Sequence, residues 1–331
     1  MTSCSAQLKS EIGLSNIDNS QTWRPAPRCP SGTVASALAR RVWRQSIGLH
    51  KFKFTLTGEN ELKTEALRLM CVMAHPDDES LGTGGVLAKY AAEGIQTYLI
   101  TATRGQKGWF GLPEDNPGPV ALGQIREKEL LAAGRVLGLE EVELLDYIDG
   151  ELDQADPSEV IVRIARHLRR VRPQVVITFD PTGDYGHPDH IAISQFTTGA
   201  VIAAADPNFP GLDRLAAHRV SKLYYRVSTK AEQAAYQTAF GELVMRVDGV
   251  ERRATAWKEW SVTTRIDCTE QWEQVWQAVG CHRSQLPEYS KLLELPEAFH
   301  QNLWGQSALY RAYSLVNGGR KIETDLFAGL R

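Results

Sequence analysis

An α/β fold on a mostly parallel sheet is what this chain predicts from residue 65 onward. Three observations carry the prediction. Short apolar runs of strand length alternate with helix-length stretches, glycines and prolines fall at the junctions, and two of the runs are followed by His-Pro-Asp segments. Strands separated by helices of roughly 10 to 15 residues pack as right-handed βαβ units. The expected architecture is Rossmann-like, with helices flanking the sheet.

Residues 67–74 form an apolar run that ends at His75-Pro76, as a buried strand ends at a loop. A helical pattern over 80–92 closes at Gly94. Residues 96–101 form a second strand. Residues 122–138 space Ile125, Leu130, Leu131, Val136 and Leu137 as a helix does, and they finish on a glycine. A strand at 141–145, a helix at 158–171 opened by Pro157, and a strand at 174–179 ending at Asp180-Pro181 complete the regular part. Beyond about residue 215 the pattern loosens. There, 223–228 and 261–266 fit strands and 269–282 a helix. Trp257, Trp260, Trp272, Trp276 and Trp304 concentrate in this part, as core or pocket wall.

Residues 1–64 are polar, carry Pro25, Pro27 and Pro30, and contain a basic stretch at 34–44. They read as a partly irregular N-terminal arm preceding one domain at 65–331. Glu11, Asp18 and the late arginines argue against a transit peptide.

Composition bounds the function. The chain has 331 residues, 43% hydrophobic and 23% charged, with a formal net charge of -3. Those values suit a soluble globular protein and exclude a disordered one. Nothing in the charge balance draws the chain to nucleic acid or to an anionic membrane. The five cysteines include no C-x-x-C pair, which favours free thiols in a reducing compartment. No apolar run approaches the roughly 20 residues of a membrane span. The first residues lack the apolar core of a secretion signal, so a cytoplasmic enzyme is expected. A homo-oligomer is compatible with all of this.

Two segments carry chemistry: Ala74-His75-Pro76-Asp77-Asp78-Glu79 and Tyr185-Gly186-His187-Pro188-Asp189-His190. Each follows a strand and precedes a helix, so both belong on the rim where the carboxyl ends of parallel strands form a crevice. Within each segment the strongest ligands stand three apart, His75 with Asp78 and His187 with His190, on one side of a first helical turn. Two histidines, one carboxylate and an open position suit catalytic zinc. The same set can hold non-haem iron. A lone His-Pro-Asp is commonly a loop whose aspartate caps a helix, but two of them in matching contexts point to a site.

On these motifs the chain resembles the PIG-L/LmbE-like zinc-dependent deacetylases, which remove acetyl groups from N-acetylglucosamine conjugates. The resemblance covers residues 67–205 and continues more weakly to about 320. It implies an LmbE-like fold, Zn2+ (or Fe2+) held by His75, Asp78 and His190, and Asp77 as general base. It further implies His187 as the cationic or acidic group beside the scissile amide, supported by Asp189, and Tyr185 as a group that polarises the carbonyl. Thr103-Arg104-Gly105 matches a substrate-contacting segment and makes Arg104 a substrate-binding residue, although Gln106 follows where many members carry glutamate. The implied partner is a small amino-sugar conjugate. An amidase acting on a larger, mycothiol-type thiol conjugate is the alternative within the family. A non-catalytic sugar- or nucleotide-binding Rossmann protein is the alternative outside it.

Three further features are weighed. Gly82-Thr83-Gly84-Gly85 hints at a dinucleotide loop, but Leu87 stands where the third glycine belongs, so tight helix-on-sheet packing is the better reading. His282-Arg283-Ser284-Gln285 resembles a family segment near the active-site wall, with His282 a weak ligand candidate. Arg126, Lys128 and Glu129 read as a solvated helix face, with Arg126 and Glu127 as an alternative brace for the crevice.

Overall fold

In the computed structural model, residues 66–331 are described, apart from 213, 243, 288 and 289. The arm read at 1–64 lies outside the described residues. The first strand, β1 (Arg68–Met73), is buried from its second residue on. It leads through His75 into α1 (Asp78–Ala92), then β2 (Gln96–Thr103), α2 (Pro119–Leu137), β3 (Glu141–Tyr147), α3 (Pro157–Val171) and β4 (Val175–Phe179). After a short kinked turn, α4 (Gly183–Gly186), the chain enters α5 (Pro188–Ala205) and β5 (Lys222–Arg226). Each of these strands falls within a few residues of its predicted place.

The sheet order is β3-β2-β1-β4-β5, all parallel. The order reverses between β1 and β4. In such a sheet the crossovers on either side of the reversal run in opposite directions, and their right-handedness puts the helices on opposite faces. Accordingly α3 packs with α5, while α1 and α2 form a separate group. The gap above β1 and β4 therefore opens between the two groups, with α1 leaving it on one side and α5 on the other. β1 and β4 sit centrally and read as continuous apolar runs because both of their faces are covered.

The C-terminal part is where the sequence was weakest. It holds α6 (Lys230–Phe240), a hairpin of β6 (Val244–Val247) and β7 (Val250–Arg253), β8 (Thr264–Asp267), α7 (Trp272–Val279), α8 (Glu297–Trp304) and β9 (Gln306–Ser314). β9 pairs antiparallel with β5, and β8 antiparallel with β9, which completes a seven-stranded sheet. Neither β9 nor the hairpin was foreseen. The C-terminal segment is tied in by Glu323, whose carboxylate accepts from Lys222 Nζ at 2.6 Å, Thr264 Oγ1 at 3.1 Å and the Tyr224 hydroxyl.

Gly82 to Gly85 lie inside α1, so no dinucleotide loop exists there. The helix packs on β1 and β2 as that reading expects, and its glycines also admit close neighbours from α7 and the segment after β8. A Cβ on Gly85 would lie 2.8 Å from the Cys268 Cβ, and one on Gly84 3.2 Å from Val275 of α7. The tryptophans do not form one cluster. Trp272, Trp276 and Trp304 surround His300, Trp257 packs on Tyr310, and Trp260 is exposed. Among the described residues, no helix is long and apolar enough to cross a membrane.

Candidate active site

Both His-Pro-Asp segments emerge at the reversal, from the carboxyl ends of the adjacent strands β1 and β4. Asp78 opens α1, and its Oδ2 accepts the backbone N–H of His75 at 2.7 Å and of Ala74 at 3.2 Å. The loop's own amides thus hold the carboxylate beside the imidazole. His75 Nδ1 lies 3.7 Å from Asp78 Oδ2 and 3.2 Å from His190 Nε2, and His190 Nε2 lies 3.5 Å from Asp78 Oδ1. A tetrahedral ion with bonds of about 2.0–2.1 Å separates its ligand atoms by about 3.3 Å. The two ring nitrogens stand close to that spacing, and each has one oxygen of the Asp78 carboxylate 3.5 to 3.7 Å away.

The far side of His75 supports the same geometry. Its Nε2 lies 3.0 Å from Asp189 Oδ2 and 3.2 Å from Asp149 Oδ1. A ring N–H donated there leaves Nδ1 as the lone-pair nitrogen, the arrangement usual for a metal-ligating histidine. Burial opposes charging His75, yet the carboxylates of Asp149 and Asp189 outweigh it and, with Asp78, hold the pKa at about 10. For Asp78, burial lifts the pKa to about 7, with Asp77 and Glu79 adding and His75 opposing. An ion bound here would have to displace the protons these shifts hold in place.

The expected support of His187 by Asp189 needs correction. The Asp189 carboxylate turns away from His187, accepting from Gly150 N at 2.7 Å and Leu152 N at 3.1 Å as well as facing His75. What reaches His187 is the Asp189 backbone N–H, donated to Nδ1 at 3.1 Å. With Nδ1 accepting, the proton of the neutral ring sits on Nε2. Burial and the neighbouring His75 push the His187 pKa down to about 4 against the opposing charges of Asp189 and Asp149, so the ring is neutral at pH 7 and not the cation expected of it. The ring stacks 4.8 Å from that of His190, which is itself stacked on Phe179 at 3.9 Å.

Asp77 stands at the N-cap of α1 with φ 103° and ψ −28°, and its side chain makes no capping bond. Its Oδ2 accepts from Arg126 Nη2 at 3.1 Å, and Arg126 Nη1 also donates to the Gly105 carbonyl at 2.9 Å. Arg126 is 4% exposed, which corrects its reading as part of a solvated face and fits the alternative of a brace. It lies four residues after Leu122, on the buried side of α2. Gly105 has to be glycine for this contact: at φ 63°, an added Cβ would lie 2.4 Å from Arg126 Nη1. Below Asp77, Glu79 accepts the Asp77 N–H at 2.9 Å through Oε2 and faces His282 Nε2 at 2.8 Å through Oε1. His282 is thus engaged with Glu79 rather than with the ligand set. Burial opposes both charges of this pair, but each partner stabilises the other, keeping Glu79 low and His282 high.

A cavity of about 380 Å³ opens over these groups, lined at its base by His75, Asp77, Asp78, Tyr185, His187 and His190. The Tyr185 ring lies 5.4 Å from that of His190. Burial, with the carboxylates around it, raises its phenol well above the ordinary value, so it remains a hydroxyl donor. Tyr236 and Phe240 of α6, with Arg226 and Arg253, form part of the wall. Every lining arginine is paired: Arg126 with Asp77, Arg226 with Asp184, and Arg253 with Glu242. Arg104 does not line the cavity. It leaves the end of β2 towards Asp146, 2.8 Å away, and Glu127, so the substrate-binding role expected for it is not supported by its position. Asp149 and the α6 wall escaped the sequence reading. Asp149 had a signal, as a carboxylate just past β3 on the same rim; the wall residues had none.

The sequence profile of the GlcNAc-PI de-N-acetylase family, PIG-L, matches residues 70–201. A 1D-myo-inositol 2-acetamido-2-deoxy-alpha-D-glucopyranoside deacetylase of Kineococcus radiotolerans is 33% identical over 300 residues, covering 80% of this chain and 83% of its own. A mycothiol S-conjugate amidase of Streptomyces coelicolor is 30% identical over 301 residues, covering 81% and 99%. Among solved structures, a conserved protein of Thermus thermophilus superposes with a TM-score of 0.52 at 27% identity, over 76% of this chain and 97% of that one.

Proposed function

Because the chain belongs to the PIG-L family of GlcNAc-PI de-N-acetylases, we propose that it is a metal-dependent hydrolase that removes the acetyl group from an N-acetylglucosamine conjugate. The observation that carries the proposal is the convergence of His75, His190 and the Asp78 carboxylate: His75 Nδ1 and His190 Nε2 lie 3.2 Å apart, with Asp78 Oδ1 3.5 Å from His190 Nε2 and Asp78 Oδ2 3.7 Å from His75 Nδ1. These three are the proposed ligands and zinc the proposed ion, with Fe2+ the second choice for the same donors. What an ion held there supplies is Lewis acidity, which polarises the amide carbonyl and brings a nearby water towards a pKa of about 7.

The chain's own groups do the rest. Asp77 lines the cavity beside the ligands and takes the proton of the attacking water, while Arg126 fixes its second oxygen. His187, with its proton on Nε2, and Tyr185 donate to the oxygen that gains charge as the carbonyl becomes tetrahedral. Asp189 and Asp149 orient His75 through Nε2. The ligand set is intact, which is not expected of a Rossmann protein that only binds sugar or nucleotide.

The substrate proposed is a small conjugate such as 1D-myo-inositol 2-acetamido-2-deoxy-α-D-glucopyranoside, on which the Kineococcus relative is named as acting. Amide cleavage of a mycothiol S-conjugate is a second reading, supported by the 30% identity to the Streptomyces amidase over 81% of this chain. Acetate release from the inositol conjugate, run beside cleavage of an S-conjugate and repeated with a chelator, tests both. Acetate release that chelation abolishes and zinc restores is expected. Metal-loaded protein that cleaves only the S-conjugate would transfer the assignment to the second reading, and protein that cleaves neither would overturn both.

A further inference from the structure

We propose that Glu79 and His282 are positioning residues for Asp77: their buried pair grips the Asp77 backbone amide and holds the turn that aims its carboxylate at the cavity. The inference rests on the reading of Asp77 as the base.

An aspartate at the start of a helix ordinarily folds its carboxylate back onto the first free amides of that helix. Asp77 makes no such bond. Its left-handed backbone, costly for any residue with a side chain, turns the carboxylate outward to Arg126 and the cavity. Such a conformation persists only where the surroundings enforce it. On one side Arg126 holds the preceding Pro76 carbonyl. On the other, Glu79 Oε2 receives the Asp77 N–H at 2.9 Å.

A glutamate reaching back to the first amide of its own helix is a common capping device. That device works at the surface and needs no partner. Here Glu79 and His282 are both 0% exposed and 2.8 Å apart, across 203 residues of sequence, and the Ser80 hydroxyl donates to the same Oε1 at 2.6 Å. A carboxylate taken wholly out of water without a counter-charge is strongly unfavourable. His282, just beyond α7, is what permits an anion at this spot. Neither residue lines the cavity, so both act through Asp77 and not on substrate.

The test compares kcat, KM and metal content of His282→Ala, His282→Gln and Glu79→Gln, each measured as folded, metal-loaded protein hydrolysing the inositol conjugate. His282→Ala and Glu79→Gln should lose about 10–100-fold in kcat, with KM within about twofold and metal content unchanged. His282→Gln keeps an N–H for Glu79 and should recover part of the loss. Should the alanine variant fail to fold, the two glutamine variants carry the same comparison. Wild-type kcat in the folded variants, or a loss explained by KM or by missing metal, overturns the proposal. Asp77→Asn run in parallel separates the two readings. Activity surviving in Asp77→Asn removes the base assignment, whereas an inactive Asp77→Asn beside fully active His282 and Glu79 variants removes the positioning role alone.

Discussion

His75 Nδ1 and His190 Nε2 face each other at 3.2 Å although 115 residues separate them along the chain. Two ring nitrogens do not settle at that distance as bare lone pairs; they share a proton or a cation. Asp78, 3.5 to 3.7 Å from both, adds the negative charge that favours a cation.

Purified protein should therefore carry about one transition metal per chain, in line with the three-ligand sites of catalytic zinc. Replacing His190 with alanine should remove most of it, as read by elemental analysis. Metal retained at wild-type stoichiometry in that variant would sink the ligand assignment.

Neighbouring aspartates should separate cleanly. Asp77→Ala should keep the metal and lower kcat by roughly 10²–10⁴-fold, the usual worth of a general base. Asp78→Ala should weaken metal affinity, with activity partly recovered in excess zinc. Metal titration with steady-state kinetics on both variants decides the matter, and the reverse pattern would mean the roles are exchanged.

Arg104 is engaged by Asp146 and Glu127 away from the cavity. Replacing it with alanine should change KM by less than about threefold and stability by at most about 1 kcal/mol, as for other exposed ion pairs. A tenfold or greater rise in KM would mean that the side chain swings to the substrate and that its expected role is real.

Glu323→Ala should destabilise the fold by about 3–5 kcal/mol, because Lys222, wholly buried, would lose its carboxylate. Chemical denaturation measures this directly. A loss below about 1 kcal/mol would show that water or another group compensates the lysine.

The parallel half of the fold was legible because β1 and β4 are almost wholly apolar and stop at polar turns, and the other parallel strands carry short apolar stretches between helix-length segments. That contrast also exposed His75, Asp77, Asp78, His187 and His190, all of which the fold brings to one cavity. Asp189 was misjudged for a geometric reason. Its carboxylate is drawn to His75 and to the backbone amides of Gly150 and Leu152, partners from distant parts of the chain that its nearness to His187 in sequence does not disclose. Arg126 was misjudged because charge argues for solvent, and only the fold reveals the carbonyls and carboxylate that satisfy it. β9, the hairpin and the α6 wall rest on long-range pairing and packing, which leave no short-range periodicity to read.

The cavity draws its base from β1, β4 and the turns that follow them, and part of its wall from α6 and the residues flanking the hairpin. The stretch matched by the family profile, residues 70–201, contains the whole base and stops short of that wall. On the proposed reading, the groups assigned to bond cleavage all lie within residues 70–201, while a part of the lining, from α6 and residues 242–254, lies outside it. Drift over residues 230–254 can reshape what the cavity admits while leaving the hydrolytic groups untouched. A lineage built this way can diversify its substrates without passing through an inactive ancestor.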